Sequence, residues 1–251
     1  MTTIQIGNGT FMLGDCFERM AELPDASVDM ILADLPYGTT QCAWDSVLPF
    51  KDLWEAYWRV CRPGAAVVLT SAQPFTSALV MSQVAHFKYD TVWDKAGVTG
   101  HLNAKKRPLR RHEDILVFCR SAPPYFPEML TGRLRAKGGR RDKPGQVYGL
   151  LAGGTVTNDQ YYPTSIVEVS NAGSKSERWH PTQKPVALFE YLIRTYTNPG
   201  DLVLDNTAGS GTTAIAAENT GRRWVCIERD ETYFAKAVER VRDAVPCWDL
   251  L

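Results

Sequence analysis

Residues 202–228 restrict the possible folds more than any other stretch. Leu202-Val203-Leu204-Asp205 reads as a buried strand and Asn206-Thr207-Ala208-Gly209-Ser210-Gly211-Thr212-Thr213 as a glycine turn. Residues 214–219 suit a helix stopped by Gly221, and Trp224-Val225-Cys226-Ile227 is a second strand ending in Glu228. A strand, a tight glycine exit, a helix and a returning strand build a crossover between parallel strands, so an α/β fold with a largely parallel sheet is predicted. The rest of the chain keeps the alternation. Strand-like runs at 10–13, 28–33, 65–70, 89–95 and 115–119 are interleaved with helical patterns at 17–23, 50–61 and 76–85. Within 50–61, Leu53, Trp54, Tyr57, Trp58 and Cys61 share one face, and Arg62-Pro63-Gly64 ends the helix. Pro185 opens a helix with Val186, Leu188, Phe189, Leu192 and Ile193, and Tyr233, Phe234, Ala237, Val238 and Val241 make the last helix amphipathic.

One segment breaks this rhythm. Residues 95–143 hold thirteen Lys or Arg against four Asp or Glu, in a chain of 251 residues with a formal net charge of zero. A basic segment on an otherwise acidic body suits a protein that docks one face on a polyanion. Lys105-Lys106-Arg107-Pro108 and Arg110-Arg111-His112 are expected in a loop that follows the strand bearing Trp93 and Lys95. Residues 38–45 read as another, mobile loop. Residues 121–179, rich in Gly, Pro, Ser, Thr and Tyr with one strand-like run at 165–169, read as an insertion over the sheet. Connections longer than about 15 residues are usually functional or disordered. The six cysteines include no CxxC pair and the four histidines no HExxH, so packing thiols in a reducing compartment are expected and no metal site. No apolar run approaches the ~20 residues needed to cross a bilayer. The start, Met1-Thr2-Thr3-Ile4-Gln5, has neither the basic nor the apolar region of a signal peptide. The expected location is cytoplasmic, with no membrane partner.

Two groups of residues carry chemistry. Asp34-Leu35-Pro36-Tyr37 ends the strand at 28–33, and proline stiffens both itself and the residue before it. A carboxylate and an aromatic ring on such a turn suit a planar ring bearing an amino group. At the other site, Gly209, Gly211 and Ala214 satisfy GxGxx(G/A), and Glu228, at the tip of the next strand, is placed to accept hydrogen bonds from ribose hydroxyls. No lysine follows Gly211, which argues against a phosphate-gripping P-loop. A nicotinamide-dependent oxidoreductase would use the glycine turn and Glu228 but leave Asp34 to Tyr37 idle. A DNA-binding module with a dead catalytic turn would use only the charges.

Asp34-Leu35-Pro36-Tyr37 resembles the Asp-Pro-Pro-Tyr motif of amino-group DNA methyltransferases, and residues 205–213 resemble their S-adenosylmethionine loop. His180-Pro181-Thr182-Gln183-Lys184-Pro185 is similar to the family segment that precedes the cofactor strand, and Gly14-Asp15 to its adenine-meeting acidic element. The motif order matches the circularly permuted class called β. The resemblance implies a doubly wound, Rossmann-like methyltransferase sheet spanning 1–251, with target recognition in the insertion at 121–179. It implies that Asp34 and the Leu35 carbonyl accept from the two hydrogens of an exocyclic amine, Tyr37 stacks on the base and Pro36 fixes the turn. Asp205, Thr182, Lys184 and Thr212 would hold the methionine end of the cofactor, with Ala208, Gly209 and Gly211 forming its loop, Glu228 on the ribose and Asp15 on the adenine. Trp93, Lys95, Lys105, Lys106, Arg107, Arg110 and Arg111 would meet double-stranded DNA. The implied reaction is methylation of adenine N6 in a flipped-out base, because the cytosine-N4 enzymes of the family often carry serine at the position of Asp34. An RNA or protein amino-group methyltransferase would use the same turn. A homodimer and a cognate restriction endonuclease, in a bacterial or phage-infected cell, are partners that the resemblance raises.

Overall fold

The structure, a computed structural model, describes residues 2–38, 46–137, 156–171 and 183–245. The chain forms two compact units, one of Met1–Phe126 with Ser165–Leu251 and one of Pro127–Thr164. In the larger unit the strands are β1 (Thr3–Ile6), β2 (Gly9–Leu13), β3 (Val28–Asp34), β4 (Cys61–Ser71), β5 (Phe87–Thr99), β6 (Arg110–Phe118), β9 (Ile166–Glu168), β10 (Leu202–Asp205) and β11 (Arg223–Glu228). Its helices are α1 (Cys16–Ala21), α2 (Phe50–Val60), α3 (Phe75–Ser82), α4 (Val186–Tyr196), α5 (Thr212–Asn219) and α6 (Glu231–Ala244). The smaller unit holds β7 (Leu130–Lys137) and β8 (Val156–Tyr161).

The nine strands of the larger unit lie in the order β1-β2-β11-β10-β3-β4-β6-β5-β9. From β2 through β4 all neighbours are parallel, β6 is antiparallel to both β4 and β5, and β9 adds parallel to β5. The last crossover of the chain is therefore slotted into the middle of the sheet. Val203 pairs with Met30 and Leu204 with Ile31, which seats the glycine turn beside the Asp34 turn.

Strand alternation sends side chains to two cores. Met30 and Leu32 of β3 and Ala66 and Val68 of β4 join α4, α5 and α6 on one face. Ile31, Ala33, Val67 and Leu69 join α1 and α2 on the other. Helices thus cover both faces, and the middles of the strands between are apolar, as parallel strands buried on two sides require, with the polar residues at the strand ends. Phe11 locks the first core, packing edge-on against Trp224 at 6.0 Å and Phe234 at 5.4 Å.

Three local expectations change. β1 was not anticipated: Thr3-Ile4-Gln5-Ile6 is too short and too exposed to carry a burial pattern, and it exists as the edge partner of β2. Arg110, Arg111 and His112, expected in a loop, are the first three residues of β6, because pairing with β5 extends the ladder past the apolar run. The helix expected over 76–85 stops at Ser82 and is followed by a 3-10 turn, Val84–His86. Of the loop expected at 38–45, residues 39–45 lie outside the described residues.

The strand-like run at 165–169 supplies β9 to the large sheet, whereas Pro127–Thr164 is compact on its own. In that unit β7 and β8 form an antiparallel ribbon. Tyr161 donates to the Arg133 carbonyl at 2.6 Å, and the Arg135 guanidinium lies 5.5 Å from the Tyr161 ring centre.

Gly9 shows how tightly the main sheet is packed. A Cβ there would fall 2.1 Å from the Trp224 ring, an aromatic wall that is almost wholly buried. Gly9→Ala is expected to lower unfolding stability by about 1 to 3 kcal/mol, the usual cost of overpacking. The measurement is the urea midpoint, and an unchanged midpoint would mean the Trp224 ring is free to move aside.

Candidate active site

The carboxyl ends of β2, β11, β10 and β3 lie along one edge of the sheet, since these strands are mutually parallel. That edge is where open α/β sheets place their ligands. Gly14 donates to the Glu228 carbonyl at 2.9 Å, and Ala208 to the Ile227 carbonyl at 2.9 Å, knitting the loops together. A cavity of about 340 Å³ opens there, lined among others by Asp15, Asp34, Tyr37, Lys184, Gly209 and Glu228.

The Asp34 turn is anchored from behind. Leu35, where the family motif has a proline, is buried in the core shared with α1 and α2. Tyr37 stacks on Phe75, ring centres 5.1 Å apart and planes inclined by 24°. Asp34 Oδ1 accepts from the Tyr37 hydroxyl at 2.7 Å and from Thr70 at 2.6 Å, while the Asp34 carbonyl accepts from Thr207 at 3.2 Å. Asp34 Oδ2 lies 2.5 Å from Lys184 Nζ. Burial, then the Asp34 and Glu113 charges, hold the Tyr37 phenol well above its ordinary value, so it acts as a neutral donor. Lys184 is only 8% exposed. Burial pulls its pKa down, and the Asp34 and Glu113 carboxylates outweigh that, leaving it raised.

The opposite half is organised by carboxylates that hold backbone. Glu228 accepts from Gly209 N–H at 2.9 Å and from Asp230 N–H at 2.8 Å. Asp15 caps α1, accepting from the Phe17 and Glu18 amides. Asp205 is buried, accepting from Thr207 N–H at 3.0 Å and from the Thr213 hydroxyl at 2.5 Å. Asn206, beside it, accepts from the Tyr57 hydroxyl at 2.6 Å, and among the described residues its buried Nδ2 meets no oxygen or nitrogen acceptor and approaches only the Cys16 thiol. Thr212 donates to the Lys184 carbonyl at 3.2 Å, so the backbone leading into α4 is tied to the glycine turn.

Most expected residues meet at this cavity. Asp15, Asp34, Leu35, Pro36, Tyr37, Lys184, Gly209, Thr212 and Glu228 line it, together with Trp93, Lys95 and Arg110. Asp205, Ala208 and Gly211 stand behind the wall: Asp205 is fully enclosed, and Gly211 adopts φ +74° close to Val241 and Phe11. Lys105, Lys106 and Arg107 are exposed and off the wall. Arg111 is bound to Asp94 at 2.8 Å. Thr182 and His180 lie outside the described residues. Sequence reasoning missed Glu113, Asn206, Thr70 and Phe75; only Asn206 left a signal, as the polar residue after Asp205. Among the described residues, no three His, Cys, Asp or Glu gather as a metal site. Cys16, on the wall, is a thiol pushed up to about 11 by burial and then by Asp15.

An acid-bearing turn facing a glycine turn across the carboxyl edge of a parallel sheet defines a Rossmann-like group-transfer enzyme. The chain belongs to the DNA methylase family, whose sequence profile matches residues 28–239. The DNA adenine methyltransferase YhdJ of Escherichia coli (strain K12) is 30% identical, over 92% of this chain and 82% of that protein. Two solved structures share the fold. The M1.HpyAVI–SAM complex is 24% identical with a TM-score of 0.63, over 92% of this chain and 98% of its own. PvuII DNA methyltransferase (cytosine-N4-specific) is 17% identical with a TM-score of 0.66, over 96% and 92%. None of the described helices is long and apolar enough to cross a membrane.

Asp205 gives the site a measurable pH signature. Burial, reinforced by the Asp34 and Glu228 charges and opposed by the bonds from Thr213 and Thr207, raises its carboxyl from 3.8 to about 7. Between those values the folded protein binds a proton that the unfolded chain has released, so Asp205 weakens the fold as pH rises through this window. Asp205→Asn is expected to gain stability relative to the parent by on the order of 4 kcal/mol between about pH 4 and about pH 7. Denaturant titrations of both proteins across that range check it; parallel curves would refute the assignment.

Proposed function

We propose that this protein is an S-adenosylmethionine-dependent DNA methyltransferase that methylates N6 of adenine in a base flipped out of double-stranded DNA. The observation that carries the reading is that Asp34 and the Gly209–Glu228 pair line one cavity from neighbouring parts of one sheet edge. The residues fit the cofactor: Glu228 is an acceptor for hydroxyls, and the Asn206 amide is a buried donor at the wall with no oxygen or nitrogen acceptor among the described residues.

When bound, S-adenosylmethionine supplies a methyl group on a sulfonium, whose sulfur keeps the bonding pair and leaves as a neutral thioether. The chain's own part is to make a poor nucleophile competent. Asp34 and the Leu35 carbonyl accept from the two amino hydrogens, favouring a pyramidal nitrogen whose lone pair is available. The same acceptors stabilise the positive charge that grows on that nitrogen, which is electrostatic stabilisation of the transition state. Tyr37, backed by Phe75, offers an aromatic surface to the base, and stacking of this kind is worth roughly 1 to 3 kcal/mol. That is comparable to the cost of unstacking a base. Asp15, Thr182, Lys184, Asp205, Ala208, Gly209, Gly211, Thr212 and Glu228 belong to the cofactor half, some by contact and some, as Lys184 through its carbonyl, by holding the loop.

Arg110 at the wall and the exposed Lys105, Lys106 and Arg107 give the DNA phosphates cationic partners, with Trp93 and Lys95 behind them; Arg111 is shared with Asp94. Base reading falls to the insertion at 121–179. A homodimer and a cognate restriction endonuclease belong to this reading as partners, with the cytoplasm as its location.

Incubation with labelled S-adenosylmethionine and unmodified bacterial DNA, followed by nucleoside analysis, is expected to yield N6-methyladenine. N4-methylcytosine as sole product would overturn the base assignment, and absence of label from DNA would overturn the enzyme. Asp34→Ala is expected to reduce transfer by about 10²-fold or more with cofactor binding retained. Arg110→Ala should weaken DNA binding and reduce its salt slope by about one; an identical slope would place the phosphate contact elsewhere.

A further inference from the structure

Behind the Asp34 turn runs a buried chain of alternating charges. Lys95 Nζ is 2.5 Å from Glu113 Oε1, Lys184 Nζ is 3.4 Å from Glu113 Oε2, and the same Lys184 Nζ is 2.5 Å from Asp34 Oδ2. Lys95 and Lys184 side chains are 7% and 8% exposed, and Glu113 only 13%. Three strands and the lead-in to α4 converge to make it: the neighbours β5 and β6 supply Lys95 and Glu113, the latter opposite Trp93, and β3, across β4 from them, supplies Asp34. Glu113 Oε2 is buried and 3.4 Å from Lys184 Nζ, a long contact, and among the described residues no well-formed hydrogen bond reaches it.

The chain poses a chemical problem for the reaction. Both Asp34 carboxylate oxygens are already engaged, Oδ1 by Tyr37 and Thr70 and Oδ2 by Lys184. An ammonium held on Asp34 also opposes the positive charge that must grow on the substrate nitrogen. Moving Lys184 into water would strand a buried carboxylate, which is costly. A short shift onto Glu113 Oε2 costs less, because the ammonium exchanges one buried carboxylate oxygen for another that lacks a hydrogen bond.

We propose that Glu113 is a positioning residue that receives Lys184 when the amino group arrives, freeing Asp34 Oδ2 to accept from it. Lys95 holds Glu113 Oε1 and so keeps Oε2 turned toward Lys184. The inference rests on the methyltransferase reading and adds to it a latch: Lys184 neutralises Asp34 in the empty site and Glu113 in the loaded one. Lys184 Nζ passes from Asp34 Oδ2 to Glu113 Oε2, Asp34 Oδ2 accepts from the amino group in its place, and the buried net charge of the protein stays constant.

The test is single-turnover methyl transfer with saturating labelled S-adenosylmethionine and duplex DNA, comparing the parent with E113Q, E113D, K184Q and E113Q/K184Q. E113Q keeps the shape and the contact to Lys95 but removes the charge that draws Lys184 away. Its rate, measured well below the melting transition of each variant, is expected to fall by about tenfold or more, with cofactor affinity and DNA KM unchanged, and E113D is expected to restore part of the loss. In the K184Q background, where nothing needs to be drawn away, the cost of E113Q is expected to vanish, the signature of coupled residues. A full-rate E113Q, or the same penalty with and without Lys184, would overturn the latch. A loss in E113Q that E113D does not relieve would point to packing alone and would also overturn it. No transfer by the parent protein would remove the methyltransferase reading itself and the latch with it, a result distinct from any failure confined to the variants.

Discussion

Parallel pairing of Val203 and Leu204 with Met30 and Ile31 is the contact on which the site depends. It joins segments more than 150 residues apart, and it rests on apolar side chains buried on both faces of the sheet. Apolar burial contributes about 25 cal/mol per Å², so a central strand of this kind is held by large, non-directional terms. The polar work is left to the strand tips. Thr207 to the Asp34 carbonyl, Ala208 to Ile227 and Gly14 to Glu228 are all bonds between loops leaving neighbouring strands. The sheet sets the spacing and these bonds set the aim.

The site holds two kinds of buried acid, and their surroundings separate them. Asp205 is enclosed with hydroxyl and amide donors but no cation hydrogen-bonded to it, and burial raises it to about 7. Asp34 has Lys184 on one oxygen and two hydroxyls on the other. A buried ion pair stabilises a fold weakly, because desolvation offsets most of the attraction. Its value here is in placement: a carboxylate held in one orientation at the cavity wall, and a lysine with two acids within reach. Asp205 instead serves the loop, gathering Thr207 and Thr213 beneath the glycine turn.

Strand and helix order was legible because it is written in local periodicity, and α2, α4, β10 and β11 fall almost where their apolar patterns put them. The Asp34 turn and the glycine turn were legible because proline and glycine constrain backbone locally. What escaped was decided by pairing across the sheet. Arg110 to His112 look like a polar loop in one dimension, and become strand because β5 offers them a ladder. Glu113 gives no local sign of function, being one acid after two arginines and a histidine; only the β5–β6 register sets it between two lysines. The Leu35 departure from the family motif likewise had a meaning visible only in space. It replaces a stiff ring with a buried side chain, so the turn is held by the core behind it.

The two amino hydrogens that Asp34 and the Leu35 carbonyl would address on the proposed reading are geometrically alike on adenine and cytosine, so the turn would supply chemistry without supplying choice. Choice belongs to the walls that meet the rest of the ring. Those walls come from the antiparallel side of the sheet, where Trp93, Thr99 and Arg110 of β5 and β6 line the cavity beyond β4. Trp93 is fixed by burial and by its indole donating to the Val169 carbonyl at 2.8 Å, and the residues just before that carbonyl form β9. β9 and the residue after it therefore brace this wall of the cavity. The Asp34 turn, by contrast, is anchored in the opposite core through Leu35 and Tyr37, so the two sides of the cavity are braced by different parts of the fold.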